Sequence, residues 1–214
     1  MRIAGISDTH TWHYIITNDI PEADVLVFAG DCTATGDLWE LNEFCMWFAQ
    51  HEHEYKIFVA GNHDRCFTDE RREYALNILK RWNIIYLEDN FITIKGFKIY
   101  GTPWRPTWKG RPRGFTLMRR SLELSEKWAL VPHDVDVLIT HTPPYGILDY
   151  GYGRAGNGCE ILGRIIMDFP HLKAHIFGHI HEGYGAMDNK YYNVSICTRK
   201  PRPENRPTLI EVFK

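Results

Sequence analysis

Apolar residues fall in short blocks along the chain, and the blocks end in glycine or a polar side chain. "RIAGISD" (2–8), "DVLVFAGD" (24–31), "KIFVAGNHD" (56–64), "DVLITHTPP" (136–144) and "AHIFGHIH" (174–181) share this form. Runs of that length, rich in Val, Ile and Phe, predict buried strands. Between the early runs, "DLWELNEFCMWFAQ" (37–50) and "DERREYALNILKRW" (69–82) space their apolar residues by three and four, which predicts helices. The order strand, helix, strand, helix, strand implies right-handed crossovers and a largely parallel sheet at the front of the chain. "FITIKGFKIYG" (91–101) reads as a hairpin turning at Lys95-Gly96, and the tail from Tyr191 to Phe213 adds strands. The expected fold class is α/β, with two mixed β-sheets packed face to face and flanked by helices.

Length and charge narrow the picture. The 214 residues suit one large domain, and 44% hydrophobic with 24% charged residues is an ordinary globular balance. A net charge of −2 argues against extensive contact with duplex nucleic acid, which demands a strong basic excess. No apolar run reaches the ~20 residues of a membrane span. The five cysteines, Cys32, Cys45, Cys66, Cys159 and Cys197, form no CxxC pair and follow no signal peptide, so they read as reduced thiols in a cytoplasmic protein. "TRKPRPENRPT" (198–208) reads as a surface loop before a last strand.

Chemistry enters at the ends of the runs. In open α/β sheets ligands bind where the carboxyl ends of the strands converge. Those ends supply Asp8 and His10, Asp31, Asn62 and His63, His141, then His179 and His181. Each piece alone has a plain reading as a helix cap or a turn. Together they offer carboxylate, carboxamide and imidazole groups that need cations to sit side by side. Mixed Asp, Asn and His donors suit Mn²⁺, Fe or Zn²⁺, with Ni²⁺ a further possibility, whereas a cysteine cage would indicate structural zinc. The donor count fits two divalent ions, the arrangement used for in-line displacement at phosphorus.

The order "DTH", "GD", "GNHD", "TH", "GHIH" resembles the signature of the calcineurin-like metallophosphoesterase superfamily. "YKIFVAGNHD", "IKGFKIYGTPW", "DVLITHTPP" and "HIFGHIHEGYG" are similar to its small metallophosphoesterase-domain-containing branch. The resemblance implies a four-layer sandwich and the following roles. Asp8, His10 and His181 hold one ion, Asn62, His141 and His179 the other, and Asp31 bridges them. His63 contacts a phosphoryl oxygen or protonates the leaving alkoxide, and Asp64 orients its ring. A hydroxide between the ions attacks phosphorus, with no covalent phosphoenzyme. The one departure, Ile180 in place of a small polar residue, lies between two ligands and removes neither.

Substrate choice is expected to lie in "TPWRPTWKGRPRGFTLMRR" (102–120), where aromatic faces can stack bases and arginines can hold phosphates. Trp104 and Arg105 follow the hairpin strand directly and are the candidates for reaching the cleft. His13 follows "DTHTW" closely enough to be a third. The glycine-rich "DYGYGRAGNG" (149–158) can cover the site but lacks the spacing of a phosphate-cradling loop. His51 and His53 are expected in solvent, His133 and His171 in loops, and His175 buried on a strand. The function read from these features is a metal-dependent phosphodiesterase acting on a small phosphodiester or nucleotide substrate, with cyclic nucleotides implied by the resemblance. A nuclease acting on RNA or DNA ends and a non-catalytic metal-bound scaffold are the alternatives.

Overall fold

The computed structural model describes residues 1–108, 114–200 and 202–214. In chain order the elements are β1 (Arg2–Ile6), β2 (Val25–Ala29), α1 (Leu38–Ala49), β3 (Tyr55–Val59), α2 (Arg72–Arg81), β4 (Ile85–Tyr86), β5 (Asn90–Ile94) and β6 (Phe97–Thr102). There follow β7 (Arg105–Thr107), β8 (Thr116–Met118), α3 (Leu122–Ala129), β9 (Val137–Thr140), α4 (Glu160–Ile165), β10 (Ala174–Phe177), β11 (Gly185–Met187), β12 (Tyr191–Asn193) and β13 (Thr208–Glu211). Both helices expected from spacing form, each a few residues shorter than its apolar pattern.

One sheet runs β13-β1-β2-β3-β4, parallel except where β13 closes antiparallel on β1. The other runs β11-β12-β10-β9-β6-β5, with a parallel centre and antiparallel edges. The hairpin predicted at Lys95-Gly96 is the β5-β6 edge, in register from Asn90 opposite Gly101 to Ile94 opposite Phe97.

Period-two alternation explains the layering. Along β2, Val25, Val27 and Ala29 face the other sheet, where Val137, Ile139 and Ile176 meet them. Leu26 and Phe28 face outward against Phe44 and Phe48 of α1. The second sheet does the same, sending Tyr100, Leu138 and Phe177 toward α3 and α4. Strands buried on both faces have no polar side to alternate with, hence the unbroken apolar runs in the sequence. The two sheets packed face to face under outer helices match the expected sandwich.

The two histidines after α1 are not solvated as expected. His53 is buried with Nε2 3.0 Å from the Pro21 carbonyl, and His51 lies edge-on to Trp47 at 4.8 Å between ring centres. His175 is buried as expected, its Nε2 2.9 Å from Thr140 Oγ1, and burial pulls its pKa down to about 3. Among the described residues no helix is long and apolar enough to cross a membrane.

Candidate metal centre

The loops after β1, β2, β3, β9 and β10 meet above the seam between the two sheets. Among the polar residues they carry, Asp8, His10, Thr11, Asp31 and His179 adopt left-handed backbone, with φ of 53°, 43°, 75°, 60° and 67°. Such conformations are uncommon outside glycine and cost on the order of 1–3 kcal/mol each, so they persist only where the surroundings enforce them. Two neighbouring glycines show the enforcement. A Cβ at Gly178 would fall on the Asp8 carboxylate and Ser7 Oγ, and one at Gly61 would fall on the Asp31 carboxylate. Each side chain therefore occupies space that its glycine leaves open.

Four imidazoles are oriented in the same way. His10 Nδ1 lies 3.3 Å from the Thr33 carbonyl, His63 Nδ1 2.8 Å from Ala34, His141 Nδ1 3.0 Å from Ala29 and His181 Nδ1 3.1 Å from Thr198. A carbonyl only accepts, so each Nδ1 carries the hydrogen and the neutral ring presents its Nε2 lone pair elsewhere. For His10 and His181 that is toward each other, at 3.4 Å between Nε2 atoms. Asp31 Oδ2 lies 3.3 Å from His141 Nε2 and 4.0 Å from His10 Nε2. Asn62 Oδ1 is 3.2 Å from His141 Nε2. The ring of His63 stands edge-on to that of His10, 4.8 Å between centres.

Asp8 is buried and lopsided. Its Oδ2 accepts from Ser7 Oγ at 2.5 Å, Ser195 Oγ at 2.9 Å and the His179 N–H at 2.9 Å. Its Oδ1 has no hydrogen-bond partner and faces His181 Nε2 at 3.3 Å. Burial opposes ionisation of Asp8, yet His181 outweighs it and holds the carboxyl well below the usual carboxylate range. Burial likewise opposes charge on the two imidazoles facing the carboxylates. Asp8 nevertheless lifts His181 to about 9, and Asp31 lifts His141 to about 9. His10 and His179 shift downward through burial, His179 further because Arg105 is beside it. The centre thus gathers ionised carboxylates in a buried volume and holds protons on His141 and His181 in the absence of an ion, a place that draws positive charge.

The arrangement fits metal ions. Asp8, His10 and His181 form one cluster of converging donor atoms, and Asp31, His141 and His179 form a second, with all donors in each within 4.8 Å of one another. Asp31 also converges with His10, so its carboxylate lies between the clusters. Oxygen and imidazole donors without thiolate suit hard or borderline divalent ions.

Residues 1–183 match the family described as Calcineurin-like phosphoesterase. The chain belongs to that family. Calcineurin-like phosphoesterases are hydrolases acting on phosphate esters and use divalent metals. Metallophosphoesterase domain-containing protein 1 of Homo sapiens is 37% identical over 238 residues, covering 99% of this chain and 71% of that protein. UPF0046 protein K07C11.7 of Caenorhabditis elegans is 36% identical over 231 residues, covering 100% of this chain and 76% of its own. Among solved structures, TT1561 of Thermus thermophilus superposes with a TM-score of 0.57 at 14% identity, over 83% of this chain and 81% of that one. This last likeness concerns the fold.

Three side chains of this calcineurin-like phosphoesterase sit elsewhere than the sequence suggests. His13 lies in the core, 1% exposed, packed between Tyr14, Phe44 and Trp47 with neither ring nitrogen hydrogen-bonded. The short 3-10 turn from His13 to Asp19 rolls it beneath α1, away from the cleft. Trp104 points behind the site. Its Nε1 donates to Asp89 Oδ2 at 2.9 Å, its ring meets Phe115 edge-on, and Lys127 covers it. Arg105, the next residue along, does enter the centre, with Nη1 2.8 Å from His179 Nε2.

Asp64 is the third. Its carboxylate accepts from the N–H groups of Asp31 (2.9 Å), Gly61 (2.8 Å) and Thr33 (3.0 Å), from Thr33 Oγ1 (2.9 Å) and from Cys32 Sγ (3.3 Å). Burial raises its pKa, the nearby charge of Asp31 adds to this, and the backbone donors counter both. The Ala34 carbonyl orients the His63 ring, while Asp64 clasps the loops after β2 and β3 together. Its neighbours have supporting counterparts that sequence reasoning missed. Asn193 donates to the Ile180 carbonyl at 2.9 Å and shapes the turn between His179 and His181. Ser195 holds Asp8, and neither residue lies in a motif that announces it. The arginines at 111 and 113, counted in the basic stretch, lie outside the described residues.

Proposed function

We propose that the protein is a dinuclear metal-dependent phosphodiesterase acting on nucleotide-type diesters, cyclic nucleotides included. The observation that carries the reading is the pair of donor clusters, with Asp31 of the second also converging on His10 of the first and on His63, set beside a guanidinium, Arg105. Asp8, His10 and His181 would hold one ion, Asn62, His141 and His179 the other, and Asp31 both. Mn²⁺ is the ion to try first. Bound there, divalent ions supply Lewis acidity that ionises water near neutral pH and offsets charge on phosphoryl oxygens.

The chain's own groups do the rest. His63 is fixed through Nδ1 on the Ala34 carbonyl, so only Nε2 is free to exchange a proton with a departing oxygen. Arg105 is largely desolvated and keeps its charge, and desolvation strengthens its pull on a phosphate oxygen. Ser7, Ser195 and the Asp64 clasp keep the carboxylates from reorganising as charge develops.

The test is hydrolysis of bis-p-nitrophenyl phosphate and p-nitrophenyl phosphate by metal-stripped protein, with and without added Mn²⁺. Metal-dependent cleavage of the diester is expected, followed by a screen of 2′,3′- and 3′,5′-cyclic nucleotides. Two ions bound by elemental analysis without turnover of either ester would overturn the reading in favour of a scaffold.

A further inference from the structure

Beside His179 the centre opens into a cavity of about 340 Å³ that extends from Arg105 to the glycine-rich loop at 149–158. That volume is within the range of small-molecule sites. Two large aromatic side chains line it, Trp108 and Tyr152, and each is 63% exposed. Two exposed rings lining one cavity beside a charged centre offer flat faces on which a ligand ring can stack.

Each ring is held by a guanidinium. The Arg119 guanidinium lies 5.0 Å from the Trp108 ring centre, and Arg119 is anchored by Glu160, by the Gly158 carbonyl at 2.8 Å and by the Asn157 carbonyl at 3.1 Å. The Arg199 guanidinium lies 5.7 Å from the Tyr152 ring centre, and the Tyr152 N–H donates to Glu182 Oε1 at 3.1 Å. Glu182 follows His181 directly, so the Tyr152 backbone is tied to the ligand segment. The loop that carries Tyr152 is shaped by Asn157, whose amide donates to the carbonyls of Asp149, Gly151 and Arg154 at 3.2, 2.9 and 2.9 Å. A guanidinium against one face of a ring restricts its motion while the remainder stays open to a ligand.

Arg105, which lies next to His179, joins Arg119 and Arg154 in making the lining cationic, and Trp108 and Tyr152 are its two large rings. An anion is drawn toward Arg105 and the centre, and a flat, uncharged group finds ring faces on Trp108 and Tyr152.

Resting on the phosphodiesterase reading, we infer that this cavity is the base slot of the substrate, with Trp108 and Tyr152 stacking on a nucleobase while Arg105 faces the attached phosphate. Base–aromatic stacking tolerates any base, so the slot selects for the presence of a base more than for its identity. Specificity for nucleotide diesters over simple alkyl diesters then resides in residues that the metal-ligand motifs do not include.

The experiment is calorimetric titration of the Mn²⁺-loaded protein with adenosine 5′-monophosphate and with ribose 5-phosphate, which differ by the base. The wild type is expected to bind the nucleotide at least tenfold more tightly. Trp108→Ala and Tyr152→Ala each reduce that ratio about fivefold or more and leave ribose 5-phosphate affinity unchanged. Trp108→Phe, which keeps a ring, retains most of the ratio, and Trp39→Ala, an exposed indole that does not line the cavity, leaves it intact. Equal affinity for the two ligands in the wild type would overturn the inference, as would a ratio unmoved by both alanine variants. The readout is binding and needs no turnover. Failure of the phosphodiesterase reading would show separately, as absent Mn²⁺-dependent cleavage of bis-p-nitrophenyl phosphate.

Discussion

His10 and His181, 171 residues apart in the chain, present their Nε2 atoms to one another at 3.4 Å. With both Nδ1 hydrogens committed to backbone carbonyls, the two Nε2 atoms face across that gap beside Asp8 Oδ1, which keeps a proton on His181 when no ion is present. A divalent cation there would take the place of that proton and accept both rings as donors.

The position of Asp31 between the clusters gives the first prediction. Asp31→Asn replaces one negative oxygen with a donor facing His10 and His141, so both ions lose affinity together. Elemental analysis after dialysis should find fewer than one ion per chain. Full stoichiometry in the variant would count against a shared carboxylate.

For His63 the expectation is separation of binding from chemistry. His63→Ala should lower turnover of a diester by on the order of 10²–10⁴ with both ions retained. Turnover within a factor of about two of wild type, measured at saturating Mn²⁺, would remove His63 from the mechanism.

Asp64→Asn tests the clasp against the ring-orienting role implied by the family resemblance. An amide cannot accept from all the donors that converge there, and the variant should lose on the order of 3 kcal/mol in urea unfolding, with weaker binding of both ions. A stability equal to wild type combined with a turnover loss like that of His63→Ala would reinstate the ring-orienting role.

His13 makes a prediction about pH. Burial lowers its pKa from 6.5 to about 4, so the unfolded chain binds a proton that the folded one refuses between those values. Stability associated with this residue is intact above pH 6.5 and falls as pH drops toward 4, by up to ~1.4 kcal/mol per unit. His13→Leu should flatten that slope and add about 1–2 kcal/mol at neutral pH, since two orphaned ring nitrogens leave the core. Parallel pH profiles for the two proteins in thermal unfolding would reject the account.

These cases also show what the chain made readable. The donors at the strand ends were legible because buried strands write themselves as unbroken apolar runs, and the residue that ends each run marks a loop on the same side of the sheet. Positions fixed by local turning were not. His13 is close in sequence to His10, but a 3-10 turn sends it under α1, and Trp104 and Arg105 diverge because successive residues of extended chain point to opposite sides. The family resemblance has Asp64 orienting His63, whereas its carboxylate accepts from the loops after β2 and β3, since which donors reach a carboxylate depends on loops from two strands meeting. Trp108 and Tyr152 lay within stretches noted for aromatics and glycine, yet only the packing of Arg119 and Arg199 marks them out. Ser195 and Asn193 carried no signal at all.

The ligand set is divided between the two sheets. Asp8, His10, Asp31 and Asn62 come from loops of the first, and His141, His179 and His181 from loops of the second. Neither half can hold an ion pair alone. During synthesis the chain must therefore emerge past His181, and the sheets must dock, before an ion can be captured. The first sheet meanwhile waits for β13, whose Ile210 pairs with Ile3, to cover the edge of β1. Capture of an ion by these residues would thus be a late event in folding, and the outer edge of β1 stays unpaired until β13 has been made.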